Sequence, residues 1–185
     1  MIRSDATRNR AKVLAAAELV LGEQGLTARM DEIARRAGVG VGTVYRHFAT
    51  KEALYAAIVT ARVDLLLQQA DRLRTTGEPA TAFFTFVTRI VVDATTKKAL
   101  TEALRDAGID VKAGRSDQRT RMHEALTALL QDAQRAGAVR PDVDMPTVLA
   151  LLRGASLAAE SGDYPVPVLD RALAVLFDGL RPRPA

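Results

Sequence analysis

Apolar residues recur at helical spacing through almost the whole chain, and glycines and prolines interrupt the pattern where helices should stop. Val13, Leu14, Ala17, Val20 and Leu21 share one face of a first helix, which Gly25 closes at the position of a left-handed cap. Ile33, Ala34 and Ala37 give a second helix over about 30–37, ended by Gly38, and a very short third covers about 41–47. Lys51 and Glu52 open a long fourth helix through Leu54, Ile58, Leu65 and Leu66 to about Leu73, with no flexible linker before it. The next break is 75–79, where Pro79 suits an early helical position.

Phe83, Phe84, Phe86, Val87, Ile90 and Val91 then crowd one segment. Its β-branched members also suit a strand, but no partner strand is visible, so the segment reads as a helix. A shorter helix near 98–107 is followed by a loop through Gly114, and Met122, Leu126, Leu129, Leu130 and Ala133 mark an amphipathic helix over about 117–136. Asp144 is the expected N-cap of a helix reaching about 160, and a last helix spans about 166–180. The pattern predicts an all-α fold of about nine helices. The last two carry apolar residues on more than one face, with Gly154, Ala155, Ala158 and Ala159 permitting close approach. One face suffices for a monomer core. The surplus points to a twofold dimer contact through Leu152, Ala155, Ala159, Leu169, Leu173 and Leu176, with simple burial in the monomer as the alternative.

Composition agrees: there are 33 alanines in 185 residues against 5 Phe, 3 Tyr and no Trp. With 48% apolar residues the chain can bury one sizeable core or two modest ones without covalent staples. The absence of Cys excludes a disulfide framework, thiol catalysis and thiolate zinc sites, and fits a reducing compartment. The N-terminal ten residues lack the apolar stretch of a signal peptide, and no apolar run approaches the roughly 18 residues that span a bilayer. A cytoplasmic protein with no membrane partner is therefore expected. The net charge of +4 is unevenly placed, because residues 1–51 hold 9 Lys/Arg against 5 Asp/Glu while the remainder holds 17 of each. A polyanion-binding head on a neutral body is the simplest cause.

Residues 27–51 sharpen that expectation. Two short helices joined by a glycine-marked turn, with basic and aromatic groups crowded onto the second, are how a chain builds a helix-turn-helix for the DNA major groove. Val44 and Phe48 are expected to anchor the second helix, leaving Thr43, Tyr45, Arg46 and His47 to face DNA. Tyr45 and His47 can hydrogen-bond phosphate oxygens, and Lys51 adds charge at the start of the next helix. Groups placed to reach base edges are Arg29, Val41, Gly42, Thr43 and Arg46. Arg3, Arg8, Arg10 and Lys12 suit either an arm over phosphates or a merely solvated terminus.

Thr27, Ile33-Ala34, Ala37-Gly38-Val39, Gly42-Thr43-Val44-Tyr45, His47-Phe48 and Lys51 through Leu54 together resemble the N-terminal signature of TetR-family transcriptional regulators, over roughly residues 9–58. The resemblance implies a DNA-binding domain over 1–50 and a helical effector-binding and dimerisation domain over 51–185. It implies a homodimer that binds a palindromic double-stranded operator and releases it when a small-molecule effector enters the C-terminal domain. It also implies phosphate contacts from Tyr45, His47 and Lys51, and positions in or beside the major groove for Arg29, Val41, Gly42, Thr43 and Arg46; Thr27, the first residue of the motif, is counted with these as DNA-binding. Gly40 departs from the pattern, which often has Ser there; glycine still serves as an N-cap, without a side-chain contact.

Competing chemistry finds little support. Gly38-Val-Gly-Val-Gly42 lacks the preceding strand, the third glycine and the Gly-Lys-Ser/Thr that nucleotide loops require. His47 and His123 lack ligand spacing, no nucleophile signature is present, and carboxylates such as Glu102 and Asp106 read as solvated faces. No cofactor and no enzymatic activity are expected. An effector cavity is placed among Phe83, Phe86, Val87, Ile90, Leu104, Met122, His123, Leu126 and Leu130, several of which also suit plain core packing. The alternative function is an all-helical small-molecule-binding or scaffold protein whose DNA-binding module is inactive.

Overall fold

The computed structural model describes residues 2–106 and 116–182, and side chains throughout these except at 2–5, 26, 95–99, 101, 103 and 106. The described residues form eight α-helices and no strand: α1 (Ile2–Gln24), α2 (Met30–Ala37), α3 (Val41–His47), α4 (Lys51–Thr76), α5 (Pro79–Asp106), α6 (Ser116–Arg135), α7 (Met145–Ser161) and α8 (Val166–Leu180). A single 3₁₀ turn, Gly25–Thr27, separates α1 from α2. The all-α expectation holds. The count falls one short because α5 is unbroken over 28 residues, so that the separate helix read near 98–107 is its final part. Nothing between Val91 and Leu104 is a Gly or Pro, and so nothing stops the helix there.

Helix ends follow from specific residues. Gly38 adopts φ +66°, a left-handed cap that lets Val39 N–H reach the Ala34 carbonyl at 3.1 Å and close α2. Gly77 ends α4 for a different reason: its N–H bonds the Leu73 carbonyl at 3.0 Å, and a Cβ there would lie 2.3 Å from that oxygen. Asp144 caps α7 as expected, its carboxylate accepting from Thr147 N–H at 2.9 Å.

The chain divides into two compact units, Met1–Arg62 with Ala99–Val111, and Val63–Lys98 with Lys112–Ala185. In the first, Val13, Ala17 and Val20 of α1 close over Ile33, Ala34, Val44 and Phe48, together with Leu54, Ile58 and Val59 of α4 and Leu100 and Leu104 of α5. Leu104 is thus corrected: the sequence placed it in an effector cavity, whereas the uninterrupted α5 delivers it, fully buried, to the core of the head. In the second unit Phe83, Phe86, Val87 and Val91 pack with Leu126, Leu129, Leu130, Val148, Leu152, Leu173 and Leu180.

Tyr55 of α4 is 4% exposed in the head core, and its hydroxyl has no hydrogen-bond partner among the described residues. Burial pushes its pKa up to about 12, with the negative charge of Glu52 adding to the shift. A raised folded-state value means that folding stability is unaffected by this group below pH 10 and falls as pH rises from there through about 12, where only the unfolded chain ionises freely. Because a buried, unsatisfied hydroxyl costs about 1 kcal/mol or more, Tyr55→Phe should raise the denaturant midpoint at neutral pH without changing the slope, and blunt the alkaline loss. A lowered midpoint in urea titration would contradict this account of the head core.

Candidate DNA-binding face

α3 has only seven residues, too few to hold itself together in water, so its orientation is set by what it buries. Val44 is fully buried and Phe48, the residue that closes the helix through its N–H to the Val44 carbonyl at 2.8 Å, is 3% exposed. With these two on one side, helical geometry turns Val41, Gly42, Tyr45 and Arg46 to solvent, and Thr43 and His47 lie half-buried at the margins. Val41 is 40% and Tyr45 49% exposed, high for an aliphatic and an aromatic with a core beside them.

The start of α4 adjoins this helix in sequence. Thr50 caps it by accepting from Ala53 N–H at 3.1 Å, and the hydrogen bonds of Glu52 with its own backbone amide and with Thr50 hold its carboxyl below the usual range. Lys51 is half-buried, its Nζ 5.6 Å from the centroid of the Tyr55 ring. Arg10 sits over Phe48 at 5.3 Å, and Arg8, Arg10 and Lys12 lie exposed on α1, which is helical here; either reading of these cations, phosphate contact or solvated charge, is compatible with that placement. The Arg3 side chain lies outside the described residues.

Acidic residues at the front of α2 and on α1 reshape the basic head. Arg29 is exposed as expected but is gripped by Asp31 through two hydrogen bonds, Nε to Oδ1 at 3.1 Å and Nη2 to Oδ2 at 3.0 Å. Arg35 donates likewise to Glu32, Arg36 to Glu23 at 2.6 Å, and Arg62 to Glu18 at 3.2 Å. These bonds hold Asp31 and Glu32 below the usual carboxylate range. Thr27, exposed, turns its hydroxyl to the Gln24 carbonyl at 2.6 Å and so steadies the turn before α2. The spacing Glu32-x-x-Arg35 signalled one of these pairs, three residues apart on one helix face.

Three further sequence expectations concern the second unit. Phe83, Phe86, Val87, Leu126 and Leu130 are buried together, and Ile90 and Met122 pack against them, so the structure brings these seven into one core. His123 is corrected: it is exposed on α6 and does not join them. An open groove of about 570 Å³ lies elsewhere, beside Phe84, Gly137 and Arg181, and uses none of the residues assigned to a cavity. Of the dimer candidates, Leu152, Ala159 and Leu173 are buried in the chain's own core, while Ala155, Leu169 and Leu176 are half-buried against it. The apolar surplus is carried instead by Leu149, Leu151, Leu157, Val168 and Val175, exposed on α7 and α8. Among the described residues no helix is long and apolar enough to cross a membrane.

A short solvent-facing helix fixed on a helical head, and a separate helical unit after it, define a helix-turn-helix DNA-binding regulator. Residues 13–58 match the profile of bacterial regulatory proteins of the tetR family, and residues 78–182 match that of the C-terminal domain of SbtR-like transcriptional regulators. The chain belongs to the TetR family of transcriptional regulators, with an N-terminal helix-turn-helix and a C-terminal ligand-binding domain. A solved TetR transcription regulatory protein from Mycobacterium vanbaalenii is 40% identical, with a TM-score of 0.81 over 98% of this chain and 100% of that one. The HTH-type transcriptional activator FasR of Mycolicibacterium smegmatis is 33% identical over 154 residues, 68% of this chain and 70% of that protein. A further relative, the HTH-type transcriptional regulator SAR0097 of Staphylococcus aureus, is 47% identical over 64 residues, which are 34% of each chain. These relatives are regulators, not enzymes.

Gly40 has the extended conformation of an N-cap, φ −67° and ψ 145°, and a Cβ there would meet nothing closer than Thr43 Oγ1 at 3.9 Å. Gly40→Ser should therefore fit and add the missing side-chain cap. The expected gain is about 0.3 kcal/mol in chemical denaturation with the far-UV spectrum unchanged, and a loss of stability would show that the turn between α2 and α3 is not as described.

Proposed function

We propose that this regulator is a one-component repressor: a homodimer that places two copies of α3 in successive major grooves of a palindromic operator and lets go when a small molecule occupies the C-terminal domain. The observation that carries the reading is the division of α3, in which Val44 is sealed in the core while Val41, Gly42, Tyr45 and Arg46 stand exposed. In it, residues 1–50 read DNA and residues 51–185 bind effector and dimerise. Tyr45, His47 and Lys51 grip phosphates, and Arg29, Val41, Gly42, Thr43 and Arg46 approach base edges. The exposed apolar residues of α7 and α8, Leu157 and Val175 foremost, supply the dimer contact in place of the inward-facing set. Helix α4, which begins at Lys51 and continues past the head to Thr76, carries effector occupancy to the heads. In the released state the paired heads no longer match the roughly 34–36 Å of one duplex turn.

The exposed reading surface favours this function over a helical binder with an inactive DNA module, since an unused surface has no need of an exposed valine and tyrosine beside a core. Selection from random duplexes followed by footprinting, with and without candidate effectors, tests the reading; failure to select any sequence from the folded chain overturns it. Transcription from a promoter bearing the selected site should fall when the protein is added, and a rise would instead make the chain an activator, as FasR is named. On the selected duplex, Lys51→Ala should lower the salt dependence of log Kd by about two, one phosphate contact per protomer, and Tyr45→Phe should weaken binding several-fold at every salt concentration. Unchanged affinity across the salt titration would contradict the phosphate-gripping roles.

A further inference from the structure

Among the side chains assigned to base reading, Arg29 is already held by a carboxylate. Its Nε and Nη2 donate to the two oxygens of Asp31 at 3.1 and 3.0 Å, which engages the side edge of the guanidinium. The end edge, formed by Nη1 and the outer hydrogen of Nη2, has no acceptor among the described residues, and the side chain is 79% exposed. That end edge has the spacing needed to donate to O6 and N7 of one guanine. Asp31 is itself fixed, because Oδ1 also accepts from Glu32 N–H at 3.0 Å in the first turn of α2, where the helix dipole favours an anion. A long, flexible arginine held in this way has less rotamer freedom to lose on binding. The carboxylate beside it also repels the phosphates that would otherwise compete for the guanidinium.

We propose that Asp31 is a positioning residue for sequence discrimination: it grips Arg29 by the side edge so that the end edge reads a guanine of the operator, and its charge keeps Arg29 from being used on phosphate. This rests on the proposed placement of Arg29 at base edges, and it makes Asp31 a device that trades general DNA affinity for selectivity. Removing it should therefore move the two quantities in opposite directions, which a purely structural role for the pair would not do.

The test uses the full chain, the duplex it selects from a random pool, and versions of that duplex with each guanine replaced in turn. For one guanine per half-site the wild type should lose about 10-fold or more in affinity. In Asp31→Ala and Asp31→Asn that loss should shrink to about 3-fold or less, at that position only, while binding to a random-sequence duplex tightens. Asp31→Asn keeps an acceptor for Glu32 N–H, so a folding defect cannot produce this result. Arg29→Ala should abolish the same discrimination, and the double variant should match Arg29→Ala. Glu32→Gln, which removes an equal charge from the neighbouring residue, should tighten binding to the random duplex yet leave the guanine penalty intact. The inference is overturned if the Asp31 variants keep the full penalty while Arg29→Ala loses it. If Arg29→Ala also keeps every guanine penalty, the base-reading role of Arg29 falls together with it.

Discussion

The burial of Val44 and Phe48 in the head core is the constraint on which the functional reading depends. Seven residues supply too few internal hydrogen bonds to make a helix on their own, so α3 exists because two of its neighbours-in-space, Ile33 of α2 and the α1 face of Val13 and Val20, belong to the same sealed cluster as its own Val44. Once those positions are inside, the helical repeat leaves no freedom in what stands outside: Val41, Gly42, Tyr45 and Arg46. The head is thus a device for presenting Val41, Tyr45 and Arg46, with Thr43 and His47 at their margins, in fixed mutual positions.

Charge acts on top of this geometry. The basic excess of the head is modest because Glu18, Glu23, Asp31 and Glu32 each hold an arginine. Exposed pairs of this kind add little to stability. Their effect on recognition is larger, since an arginine engaged by a carboxylate is withdrawn from indiscriminate phosphate contact and offered in one orientation. A head with fewer acidic groups would bind any duplex more tightly and distinguish duplexes less well.

The helices of the head were legible in the sequence because each boundary has a local cause: Gly38 needs a left-handed conformation, and the Val44–Phe48 spacing matches one turn of helix. The body was less legible. The polar stretch 95–98 interrupts the apolar pattern between Val91 and Leu104, and only the continuous α5 reveals that Leu100 and Leu104 serve the head. On α7 and α8 periodicity identified apolar residues on two sides, yet it could not say which side the chain keeps for itself; packing assigns Leu152 and Leu173 inward and leaves Leu157 and Val175 outside. Spacing alone does not show the pairing of Arg29 with Asp31, because residues two apart at a helix start meet only when the first lies outside the helix, as the extended Arg29 does.

Hydrogen–deuterium exchange of the protein with and without its selected duplex addresses the central claim most directly. The account predicts added protection concentrated in residues 41–48, the first turn of α4 and the start of α2, with the core of the second unit unchanged. Protection confined to α7 and α8, or none in α3 under saturating duplex, would contradict it.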